Sequence, residues 1–90
     1  MKIGREESNM AAALYNLYEE TELIIIDGEL YVLKAVRPGA MLDEVCDELI
    51  HAKEHGESVA CRFNGILIHS NMSRRLMEYM IQNGHQDWMI

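Results

Sequence analysis

The run Ser70-Asn71-Met72-Ser73-Arg74-Arg75 sets two guanidinium groups beside two hydroxyls, where apolar spacing announces a helix. A helix start exposes unpaired backbone N–H groups and the positive end of the helix dipole, so cations there need an offsetting anion or carboxylate. Backbone donors, the Ser70 or Ser73 hydroxyl, neighbouring Asn71 and an arginine fork are the parts of a phosphate-type site. The same spacing also allows internal pairing of Arg74 and Arg75 with Glu78, one turn on, or with the acidic helix before them.

A second cluster is Asp47, His51 and His55, spaced at four-residue intervals on one helix face. They form a weak metal-ligand set, because a single i, i+4 histidine pair needs a further ligand from a distant element. A solvated polar arc explains them as well, together with Glu44 and Glu48. Glu48 and His51 also show the Glu-x-x-His spacing of di-iron bundles, but only once, and those sites use two copies.

Nucleophilic chemistry finds no partners. Cys61 and His69 fall on opposite faces of their hairpin, and no nucleophile elbow, phosphate-binding glycine loop or H-E-x-x-H motif occurs. Cys46 and Cys61 form no CxxC pair and sit in apolar patterns, which predicts buried free thiols. These residues point away from an enzyme and call for no cofactor.

The elements that must position these groups follow from periodicity. Met10, Leu14, Leu17 and Tyr18 predict a helix from Arg5 to about Glu20. Asp27-Gly28 and Asn64-Gly65 each separate two β-branched or aliphatic runs, the strongest short-range hairpin signal. A two-residue turn pairs Ile26 with Glu29, Ile25 with Leu30, Ile24 with Tyr31 and Leu23 with Val32. In the second hairpin it pairs Phe63 with Ile66, Arg62 with Leu67, Cys61 with Ile68 and Ala60 with His69. Between the hairpins, Leu42, Val45, Cys46, Leu49 and Ile50 line a helix from Met41 to His55. Met72, Leu76, Met77, Met80 and Ile81 line a last helix ending at Asn83.

The expected fold is α+β in the order α-ββ-α-ββ-α, with a four-stranded antiparallel sheet and helices packed on one face. The chain forms one small domain, 1–90, with a short tail at 85–90. Ile24, Ile26, Tyr31, Leu33 and Leu67 would then lie on the far face, covered by the first helix or by a second subunit. With Trp88 of the tail they form the expected interface of a homo-oligomer.

Ninety residues carry a net charge of −7, from 8 basic and 15 acidic side chains, with 49% apolar content. Few bases argue against nucleic acid as a partner, since phosphate affinity rests on clustered Lys and Arg. Residues 1–57 hold five basic and thirteen acidic groups, whereas residues 58–90 hold three and two. That polarity weakens any picture of a uniformly acidic DNA mimic. No apolar run suffices to span a membrane and the first residues turn acidic where a leader would become apolar, so a cytoplasmic location is expected.

The sequence thus suggests a small, acidic, non-catalytic bacterial or phage accessory protein. It would self-associate and bind an unidentified protein partner or other macromolecule, for example inhibiting a component of host defence. The alternative is a binder of a nucleotide or phosphate-type anion at Arg74 and Arg75, near a subunit interface.

Overall fold

The computed structural model describes residues 12–16 and 20–84. In chain order they form β1 (Leu14–Tyr15), β2 (Glu22–Ile26), β3 (Glu29–Val36), α1 (Leu42–Glu54), β4 (Val59–Phe63), β5 (Ile66–His69) and α2 (Arg74–Asn83). The fold is α+β, with five strands in the sheet and two helices among the described residues.

Both hairpins adopt the expected register, from Ile26 opposite Glu29 to Leu23 opposite Val32 and from Phe63 opposite Ile66 to Ala60 opposite His69. Their turns explain why. Asp27 and Gly28 have φ of 52° and 81°, and Asn64 and Gly65 have 54° and 80°. Positive φ at both central positions is the turn geometry whose twist matches the flanking strands, and Asx-Gly tolerates it.

The sheet differs from the expected one in two ways. First, the hairpins are joined in parallel, with Val32, Leu33 and Lys34 of β3 opposite Val59, Ala60 and Cys61 of β4. Residues 37–58 form a crossover in which α1 returns the chain to the end of the sheet where β3 began, so β4 runs in the direction of β3. An all-antiparallel, four-stranded sheet has no place for that crossover. Second, β1 lies within the segment expected to be helical, with Leu14 and Tyr15 pairing antiparallel to Val36 and Ala35. Residues 5–11 and 17–19 of that segment, and Trp88 with the tail, lie outside the described residues.

Tertiary hydrogen bonds override helical spacing at β1. The Glu48 carboxylate of α1 accepts the backbone N–H of Ala13 at 2.5 Å and of Leu14 at 3.0 Å. The Arg37 Nε donates to the Ala12 carbonyl at 3.0 Å, and the Arg37 backbone N–H donates to the Ala13 carbonyl at 2.7 Å. Extended backbone is what these four bonds satisfy, and Ala13 and Leu14 are buried as a result.

α1 packs on β4 while α2 packs on β5 and on α1, with all three contacts closing one core. Val45, Cys46 and Leu49 of α1 meet Cys61 and Ile68 of the second hairpin and Met77 of α2, all with no exposed surface. Each large side chain buried this way stabilises the fold by roughly 1.5–3 kcal/mol. Leu76 departs from its expected place in this core and is 44% exposed. It stands about 100° around the helix from Met77, beyond the border of the buried stripe. α2 begins where Ser73 Oγ accepts the Leu76 N–H at 3.1 Å. It ends at Gly84, whose φ of 72° lets its N–H turn back to the carbonyls of Met80 and Ile81.

Because the helices cover β4 and β5, the β2–β3 hairpin extends past them. Register puts Leu23, Ile25 and Leu30 on the same sheet face as Val32 and buried Val59, the helix-bearing face. No helix of the described residues reaches their end of it: they are 56%, 71% and 55% exposed.

Candidate functional site

The residues expected to gather an anion at the start of α2 do come together, and most of their polar atoms are engaged internally. Ser70 is 1% exposed. Its Oγ accepts the Val59 N–H at 3.0 Å and donates to the Glu57 carbonyl at 3.3 Å, which fastens the end of β5 to the start of β4. Asn71 donates through Nδ2 to the Tyr31 hydroxyl at 2.7 Å and to Glu29 at 3.2 Å, and accepts from Lys53 Nζ at 3.1 Å. Ser73 is the cap of α2. Arg74 bonds Asp47 of α1 and lies 4.0 Å from both Asp43 and Glu78. The Asp47 hydrogen bond raises the Arg74 pKa further above its ordinary value. Arg75 is exposed and makes no ion pair among the described residues. A cleft of about 510 Å3 remains here, lined by Lys53, Asn71, Ser73 and Arg74 among others. Lys53, from the end of α1, is a cation that spacing within the Ser70–Arg75 run could not reveal.

The Asp47, His51 and His55 set is divided. Asp47 is taken by Arg74, while the His51 and His55 rings meet edge to face at 4.2 Å. Among the described residues, no group of three or more His, Cys, Asp or Glu is placed to hold a metal ion. The cysteines are buried free thiols. Burial pushes the Cys61 thiol up to about 12, with Cys46 and Glu48 adding to the effect, and burial raises Cys46 as well. Neither forms a thiolate readily at neutral pH. His69 lies across the sheet from Cys61, since it pairs with Ala60 and faces the other way.

The face opposite the helices holds the expected interface residues. Ile24, Tyr31, Leu33, Ala60, Arg62, Leu67 and His69 share it by register. Tyr31 is not available to a partner there: it is 3% exposed, its hydroxyl bonded to Asn71 and its ring 4.7 Å from that of His69. Ile24, Ile26, Leu33 and Leu67 are half-buried. Burial lowers the His69 pKa, opposed by the carboxylates of Asp27 and Glu29. Its Nδ1 accepts the Asn71 backbone N–H at 3.2 Å, so the neutral ring carries its proton on Nε2. Ile24, Ile26, Arg62, Leu67 and His69 of this face line a cleft of about 790 Å3 together with Ile25, Asp27, Met72 and Met80. Sequence spacing missed this cleft because its lining comes from β2, β4, β5 and α2, which only the fold brings together.

No helix of the described residues is long and apolar enough to cross a membrane. Comparison with protein-family models, with curated proteins and with solved structures finds no match to the chain.

Proposed function

We propose that this is a non-catalytic interaction protein that self-associates and acts by occupying a surface of another macromolecule. The observation that carries this is the trio Leu23, Ile25 and Leu30, side by side on the projecting hairpin and each more than half exposed. Large apolar side chains grouped in the open mark interaction surfaces, since each costs free energy while it faces water. The described residues of the far face, Ile24, Ile26, Tyr31, Leu33 and Leu67, are more covered than these three, which favours the tip of the helix-bearing face as the self-association surface. Inhibition of a partner, as of a host defence component, follows naturally from occupation of its surface.

Light scattering on the wild type and on Ile25→Asp tests this. A mass above that of one chain in the wild type, falling to one chain in the variant, supports the surface. A wild type that stays monomeric at high micromolar concentration removes it.

A second function, capture of a nucleotide or phosphate-type anion at the start of α2, is favoured by the cleft lined by Lys53 and Arg74. Arg74 would exchange Asp47 for the anion. Nucleotides and phosphate should then raise the melting temperature of the wild type and not of Arg74→Ala/Arg75→Ala, and absence of any shift in the wild type excludes it.

A further inference from the structure

We infer that the cleft lined by Arg62, Leu67 and His69 binds a small organic anion with an apolar body, its carboxylate or phosphate held by the Arg62 guanidinium. The site borders the Leu23, Ile25 and Leu30 surface, since Ile25 also lines the cleft, but its anion-holding groups, Arg62 and His69, are not part of that surface.

The first observation is the placement of Arg62. It projects from β4, an inner strand flanked by β3 and β5, so its side chain rises from the middle of the sheet. Its cross-strand partner is Leu67. Arg37 pairs with Glu44, and Arg74 with three carboxylates, in a chain that has 15 acids for 8 bases. Arg62 forms no ion pair among the described residues, although Asp27 and Glu22 line the clefts on either side of it. A guanidinium fork over apolar surface, with acids nearby but not engaged, presents fixed donors to a planar or tetrahedral anion.

The second observation is the shape beside it. The cleft of about 790 Å3 falls in the range of small-molecule sites and has the composition of one, with Ile24, Ile26, Leu67, Met72 and Met80 for an apolar body and Arg62, His69 and Asp27 as its polar groups. His69 adds a ring N–H at Nε2, because Nδ1 is spent on Asn71.

The third observation selects the occupant. Glu22 and Glu29 share the face of Ile26 and Leu33 by register, Asp27 stands at its turn, and no basic residue occurs between residues 6 and 33. A second copy docked here would set its own three acids against these, and like charges across a pairing destabilise it. A nucleic acid would bring many phosphates to one arginine inside an acidic rim. A body with a single charged end places that charge on Arg62 and leaves the rim to solvent.

The probes are octanoate and octyl phosphate below their micelle concentrations, with octanol as the uncharged control, followed by amide shifts in NMR titrations of the whole chain. The expected result is saturable shifts at Ile24, Ile26, Arg62, Leu67 and His69, with octanol at least about tenfold weaker. Arg62→Gln should weaken both anions by about tenfold or more, equivalent to about 1.4 kcal/mol. Ile26→Ser, which shortens the apolar floor and keeps the arginine, should weaken them too, and serves if Arg62→Gln does not fold. Octanoate against octyl phosphate separates the carboxylate from the phosphate. Absence of saturable shifts with either anion overturns the site, as does equal affinity in Arg62→Gln. A wild-type dimer lost in Arg62→Gln would also overturn it, by giving that side chain to self-association.

Discussion

Arg74, the first residue of α2, bonds Asp47 in the middle of α1 and so offsets the cation at a helix start from outside its own helix. Asp43 and Glu78 complete a carboxylate ring around the guanidinium. The arrangement is exposed to solvent, where ion pairs contribute little and salt screens them. Arg74→Ala should lower the melting temperature only slightly at low ionic strength, and the difference should close in molar salt. Thermal denaturation at two salt concentrations checks this; a large, salt-independent loss would show that Arg74 matters through packing instead.

Glu48 has a larger structural weight. Its carboxylate accepts two consecutive N–H groups, at Ala13 and Leu14, and removing it leaves buried donors unsatisfied. Glu48→Ala should cost about 2 kcal/mol, the scale of charged hydrogen bonds lost at a covered site. Urea denaturation reads the loss, and hydrogen exchange should accelerate at residues 13 and 14 before the rest of the sheet. Unchanged protection there would show that β1 is held by its strand pairing alone.

His69 makes stability depend on pH in a definite direction. Burial lowers its folded-state pKa below the usual histidine value of about 6.5. Above that value the ring is neutral in both states and its contribution is complete. As pH falls through about 6.5 the unfolded chain takes up the proton first, so stability declines until the folded ring is protonated as well. His69→Gln should therefore flatten the fall in melting temperature between about pH 7.5 and pH 5.5. A slope identical to that of the wild type would place the titration on another group.

The thiols should be inert in the folded chain. With Cys61 pushed up to about 12 and Cys46 enclosed in the same core, a thiol reagent at mildly alkaline pH should react at least about a hundredfold slower with the native protein than in denaturant. Absorbance of the released reporter measures this. Fast modification of either cysteine in the folded protein would contradict the packing of α1 on β4.

Local chemistry made the hairpins legible: Asp27-Gly28 and Asn64-Gly65 set the turn, and the turn set every pair, down to Cys61 and His69 facing opposite ways. The joint between them was less visible. A helix spanning the gap from β3 to β4 implies a crossover and hence parallel strands, whereas two like ββα units suggest simple antiparallel repetition. β1 could not be read from Leu14 and its neighbours, because the bonds that extend this segment come from Glu48 and Arg37, more than twenty residues away. For the same reason the start of α2 showed its arginines and hydroxyls but not Lys53, or the bonds that occupy Ser70 and Asn71. Arg62 looked like an ordinary strand position until the fold placed it beside a cleft and, among the described residues, in no ion pair.

Sedimentation velocity over a wide concentration range reads self-association through the hairpin tip. Wild type should shift to a heavier species with rising concentration, while Ile25→Asp sediments as one chain throughout and melts at nearly the same temperature. A wild type that remains a single chain at every concentration, or an Ile25→Asp variant that assembles equally well, would contradict it.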